Sequence, residues 1–212
     1  VIDVGWGFER LLWYYSGAPT VYDAVFPKEI EFMKQRSKND LSTDLLNRYA
    51  SLAAKLDVEA VVDLKKEKEK IAQQLGITLP ELNKGIAPMQ GIYAIADHSR
   101  TLLFALSDGA LPSNSAGGYN LRVLLRRSLA FIEQYKFDFE LMQLVNLHAE
   151  GLKNIFPELR ENLGYINEVI ESEKGKYKES LTKAKKIAGE LVTSGEKLTT
   201  EKMVTLYESN GV

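Results

Sequence analysis

The chain has 212 residues, 45% of them hydrophobic and 26% charged, with a formal net charge of −2. That apolar content supports one large globular domain, or one domain plus part of another, and excludes a disordered chain. The near-balanced charge excludes binding to polyanions by global attraction. Zero cysteines and only two histidines, His98 and His148, exclude a zinc site of the Cys/His type.

No apolar run reaches transmembrane length, and the absence of cysteine fits a cytoplasmic protein. The chain opens on Val1-Ile-Asp-Val4, which reads as the middle of a strand, so an excised internal piece is expected.

Residues 1 to 9 alternate Ile2, Val4, Trp6 and Phe8 with Asp3, Gly5, Gly7 and Glu9, a period-two pattern that predicts a strand with one bare face. Glycine on that face makes most sense where another group lies flat on the backbone. From Glu9 the period becomes helical, and Ser16-Gly17 with Pro19 stops the helix. Arg10 then sits in the first turn, where the helix dipole disfavours a cation. It points either to a bound anion or to a surface arginine paired with a carboxylate.

Helices follow in chain order: Asp44 to Leu56, Leu64 to Leu75 closed by Gly76, and a short one with Thr78 as N-cap and Pro80 in its first turn. The Lys65 to Lys70 run mixes both signs and reads as solvated surface. A separate apolar helix is predicted from Met89 to Ser107, interrupted by Asp97, His98 and Arg100. That polar cluster reads as a structural hydrogen-bond network, and His148 as a satisfied helix residue.

The stretch from Asp108 to Arg127 is the most informative. Pro112, Ser113, Asn114, Ser115, Gly117 and Gly118 form a loop that opens into a helix at Tyr119. On that helix Leu121, Leu124, Leu125, Phe131, Ile132 and Tyr135 share one arc. Arg122 and Arg126 lie opposite, with Arg127 on a flank. A basic face beside a glycine-opened backbone suits phosphate or a nucleic-acid backbone; the alternative is a solvated face after an ordinary loop.

Further helices are expected from Phe137 to Phe156, Asn162 to Glu190 and Thr200 to about Ser209, so the fold is mainly α with residues 1 to 9 as its one strand.

Gly5-Trp-Gly-Phe-Glu-Arg10 resembles motif 3 of the class II aminoacyl-tRNA synthetases. Tyr93 to Leu102, Ser107 to Asn114, Gly118 to Arg127 and Leu206 to Gly211, in that order, extend the resemblance to the alanyl-tRNA synthetases, and the insert between motif 3 and the Ala-Asp-His segment resembles their archaeal form. It covers essentially the whole chain. The resemblance implies that residues 1–20 are a strand-helix remnant ending the class II catalytic domain, and that 21–212 are the helical tRNA-recognition domain. It places ATP contacts at Gly5, Gly7, Glu9 and Arg10, with ATP and Mg, and alanine, as ligands of the parent enzyme. Zinc is expected only in an editing domain absent from this chain. Motifs 1 and 2 are missing too, so the piece alone is not expected to activate alanine, and it carries no catalytic residue or metal ligand of its own.

The resemblance also implies that the chain reads a G·U wobble pair in the acceptor stem of alanine tRNA through Asn114 and Glu208, where the family's usual residue at position 208 is Asp. A wobble pair leaves the guanine 2-amino group unpaired in the shallow minor groove, where an amide oxygen or carboxylate can accept from it. Arg122, Arg126 and Arg127 are expected to hold the stem's phosphates without reading sequence. No membrane or DNA partner is expected. The competing expectation is a non-catalytic helical scaffold that binds RNA or another partner by local charge alone.

Overall fold

The computed structural model describes residues 5–41, 43–53 and 63–194, which form ten helices and no strand. They are α1 (Phe8–Ser16), α2 (Val21–Val25), α3 (Pro27–Gln35), α4 (Thr43–Ala53), α5 (Leu64–Gln74), α6 (Leu79–Ser107), α7 (Ala116–Gln134), α8 (Leu141–Leu152), α9 (Glu158–Glu161) and α10 (Leu163–Ser194). The mainly α expectation holds. The helix expected after Thr200 and Glu208 within it lie outside the described residues.

The strand expected over residues 1 to 9 is not supported. Gly5 to Gly7 are irregular, Phe8 and Glu9 already belong to α1, and Val1 to Val4 lie outside the described residues. Gly7 adopts φ +70 as the N-cap of α1, a left-handed turn that ends any extended run. A strand also needs a neighbour to satisfy its backbone, and none of the described residues offers one. At its other end α1 closes as expected, on Gly17 at φ +64.

Helix α6 is the axis on which the other elements pack. Thr78 and Glu81 form a reciprocal capping box at its start, the Thr78 backbone N–H donating to Glu81 at 2.8 Å. The short helix at Thr78 and the one at Met89 are in fact a single 29-residue helix that runs through Pro88. Proline removes one backbone donor there, and packing on both sides outweighs that loss: Leu82, Ile86, Met89, Ile92 and Ile95 are all fully buried. Helices α2, α3, α4, α5, α7, α8, α9 and α10 each pack against α6, whereas α1 packs on α2 and buries none of its own residues.

The expected apolar arc of α7 faces this core, with Leu121 and Leu125 buried and Leu124, Phe131, Ile132 and Tyr135 packed at its edge. Asn162, just before α10, donates to Ser107 Oγ at 2.9 Å and ties the start of α10 to the end of α6. Helices α7 and α10 therefore lie side by side beyond the α6–α7 loop.

Candidate nucleic-acid interface

The α6–α7 loop is built by its own hydrogen bonds. Gly109 at φ +84 turns the chain away from α6, and the Ser113 backbone N–H donates to Gly118 O at 2.9 Å. Ser113 Oγ donates to Ser115 O at 2.9 Å, which leaves Asn114 exposed on the bend. A Cβ on Gly118 would lie 2.5 Å from Leu111 O and 2.3 Å from Ser113 Oγ. Gly118 thus serves the loop's own packing, while Gly117 has open space at its Cα.

Arg122 and Arg126 do lie together, opposite the apolar arc, but that side is not free surface. It is covered by α10, whose Glu173 side chain is 2% exposed. Arg122 Nε lies 3.0 Å from Glu173 Oε1 and its Nη2 donates to Oε2 at 3.4 Å. Arg126 approaches the same Oε1 through Nε at 3.0 Å and Nη2 at 2.9 Å, and Lys176 Nζ stands 3.8 Å from Oε2. The remaining edge of the Arg122 guanidinium donates through Nη1 to Asn114 Oδ1. Asn114, Arg122, Glu173 and Arg126 are therefore one connected polar cluster. Arg127 stands apart on the flank, exposed, with its guanidinium 5.7 Å from the Phe131 ring centroid.

Glu173 is the residue that sequence reasoning missed. It falls on the α10 stripe of Ile166, Ile170 and Tyr177 at helical spacing, and a carboxylate inside an apolar stripe is the signal that marks it.

The polar residues on α6 and α8 form a second, interior cluster. His148 is fully buried, with Nε2 at 3.1 Å from Ala96 O and 3.0 Å from Ser99 Oγ, and Nδ1 at 3.0 Å from Glu29 Oε1. The order serine, histidine, carboxylate has the connectivity of a nucleophilic triad, yet Ser99 is 0% exposed and donates to Ala96 O, so no substrate reaches it. The structural expectation for His148 holds. Arg100 stacks over Phe26, 4.5 Å from its ring centroid, and His98 Nδ1 lies 3.5 Å from Ser128 Oγ.

Gly5, Gly7, Glu9 and Arg10 sit at the exposed start of α1, away from the loop in sequence and on an element that packs only on its neighbour α2 among the stronger contacts. The Arg10 side chain lies over Gly7, where a Cβ would meet its Cδ at 3.4 Å, while the space at Gly5 is open. Trp6, Phe8, Tyr14 and Tyr15 are exposed beside them. No group of three or more His, Asp or Glu residues among the described residues is placed to hold a metal ion, and no helix there is long and apolar enough to cross a membrane.

A family model described as tRNA synthetases class II (A) matches residues 1–212 of the chain. The chain belongs to the class II tRNA synthetase family. It is 37% identical over 215 residues to a protein from Methanococcus aeolicus named alanine–tRNA ligase. Proteins of the same name from Methanocella arvoryzae and Pyrococcus abyssi are 38% and 37% identical. Each match takes in all of this chain and 24% of the relative, so the chain spans about a quarter of the length of these relatives. The resemblance to alanyl-tRNA synthetases of archaeal type is thereby borne out.

Proposed function

We propose that the chain is the acceptor-stem-binding part of an alanine–tRNA ligase, an enzyme that attaches alanine to its tRNA at the expense of ATP in the cytoplasm. Residues 1–20 then close the class II catalytic domain and residues 21–212 form the helical tRNA-recognition domain. The packing of α1 chiefly on α2, with none of its own residues buried, supports that division. In the whole enzyme Gly5, Gly7, Glu9 and Arg10 help to hold ATP with its Mg²⁺, the guanidinium facing the phosphates. Alanine binding and a zinc-holding editing domain belong to the rest of the enzyme.

The observation that carries the tRNA reading is Asn114, exposed at the tip of a hydrogen-bonded loop beside the arginines of α7. Its carbonyl oxygen has two lone pairs, and one remains after Arg122 has donated to the other. That lone pair accepts from the guanine 2-amino group, which a G·U pair leaves wholly unpaired and a Watson–Crick pair commits in part to cytosine O2. A contact of this kind separates the two by about 1–3 kcal/mol, by analogy with base-edge reading in DNA. Glu208 supplies the second acceptor. Arg127, free of the Glu173 cluster, holds phosphate, with Arg122 and Arg126 adding a partly neutralised field.

Titrating the chain with two RNA minihelices that differ only in G·U against G·C tests the reading. Tighter binding of the G·U form is expected; equal binding leaves a helical scaffold that holds RNA by charge alone.

A further inference from the structure

Burying a carboxylate costs more than burying an aliphatic side chain of similar size, and an ion pair repays that cost only in part. Glu173 nevertheless occupies a core-facing position on α10 where an apolar residue would stabilise the packing. What it does there is visible in the geometry of Arg122. The guanidinium is planar and offers donors on two edges. One edge faces Glu173, with Nη2 donating to Oε2 and Nε in ion-pair contact with Oε1, and the other, Nη1, points at Asn114 Oδ1.

An exposed asparagine amide ordinarily rotates, showing a ligand its oxygen or its NH₂ group with little preference. Here a fixed cation selects the orientation, with the oxygen turned toward Arg122. The loop adds to this, because the Ser113 N–H bond to Gly118 O binds Asn114 to the first turn of α7, about one helical turn before Arg122. Ordering the reader before RNA arrives removes an entropic cost from binding and penalises alternative amide orientations.

We propose that Glu173 is a positioning residue for base-pair reading: its buried carboxylate fixes the Arg122 guanidinium, which in turn fixes the Asn114 amide. The proposal rests on Asn114 being the residue that meets the wobble pair. It makes α10, which touches neither the loop's backbone hydrogen bonds nor the base pair in this scheme, a determinant of specificity.

The test compares wild type, Glu173→Gln and Arg122→Lys in the 212-residue chain, with the G·U and G·C minihelices as probes and the Asn114 side-chain amide followed by ¹⁵N-edited NMR. Lysine keeps a cation opposite Glu173 but has no second edge to reach Asn114. Both variants are expected to lose preference for G·U by about fivefold or more. Their Asn114 amide signals shift toward those of a freely rotating asparagine. Glu173→Gln also binds the G·C minihelix more tightly, because two guanidinium groups are released toward RNA. Should Glu173→Gln fail to fold, Arg122→Lys decides by the same two readouts.

Folded variants that keep the wild-type preference, or that lose affinity for both RNAs by the same factor, overturn the positioning role and leave Asn114 as the reader. Equal affinity of the wild-type chain for both minihelices overturns the reading and the positioning together.

Discussion

Nδ1 of His148 on α8 lies 3.0 Å from Oε1 of Glu29 on α3, and the two side chains are 0% and 7% exposed. Burial pushes the Glu29 carboxyl up, but the His148 ring beside it, with Arg100 farther off, outweighs this and holds it below its ordinary value of 4.5. A carboxylate whose folded-state value is depressed stabilises the fold fully above its unfolded value. That contribution is lost as pH falls through the folded one. Thermal melts of the wild type should therefore fall on acidification below about pH 4.5, and Glu29→Gln should fall less steeply. At neutral pH His148→Leu leaves the buried carboxylate facing an apolar group and should cost about 3–5 kcal/mol by urea unfolding.

His98 works in the same direction at higher pH. Burial lowers its affinity for a proton, Asp97 raises it in part, and the charge of Arg127 lowers it again, so the net direction is down from 6.5. The unfolded chain then takes up the proton first, and stability that is full above about pH 6.5 declines as pH falls below it. Urea midpoints at about pH 7.5 and 5.5 should differ in the wild type and converge in His98→Asn.

The two neighbouring glycines, expected in the loop but lying in the first turn of α7, should respond oppositely to alanine. Gly118→Ala drives a Cβ against Leu111 O and Ser113 Oγ and should cost about 1–3 kcal/mol. Gly117 has nothing within 4 Å and sits in the first turn of α7, so alanine there should be neutral or stabilise by up to about 1 kcal/mol. Melting temperatures of the two variants check both signs.

Much of this molecule follows from helical spacing alone. The apolar arc of α7, the Gly17 and Gly76 stops and the Thr78 cap are all local signals, and all appear where the spacing puts them. Two helices are expected where α6 is one; Pro88 lies between them, and only the burial of both its flanks tells that packing carries the helix through it. The alternation at residues 1 to 9 predicts a strand that the structure does not support, because period two says nothing about whether a partner strand is present. The pairing of Arg122 and Arg126 was legible, but their cover was not: an arc of cations looks the same in sequence whether it faces water or a carboxylate on a helix some fifty residues later. Asn114 was found through family resemblance, since an exposed loop asparagine has no distinguishing periodicity.

The three arginines should differ in their electrostatic weight. Arg127 is exposed and lies outside the Glu173 cluster, so Arg127→Ala should weaken binding to both minihelices alike and lower the slope of log affinity against log salt by about 1. Arg126→Ala should lower it by less, because Glu173 already neutralises part of its charge. Affinities measured at several salt concentrations separate the two.

The most direct test of tRNA reading is the ratio of affinities for G·U and G·C minihelices in Asn114→Ala beside the wild-type chain, at one salt concentration. A wild-type preference for G·U that collapses toward unity in Asn114→Ala, with binding to the G·C minihelix largely retained, is the predicted result. An Asn114→Ala chain that discriminates as well as the wild type would contradict it.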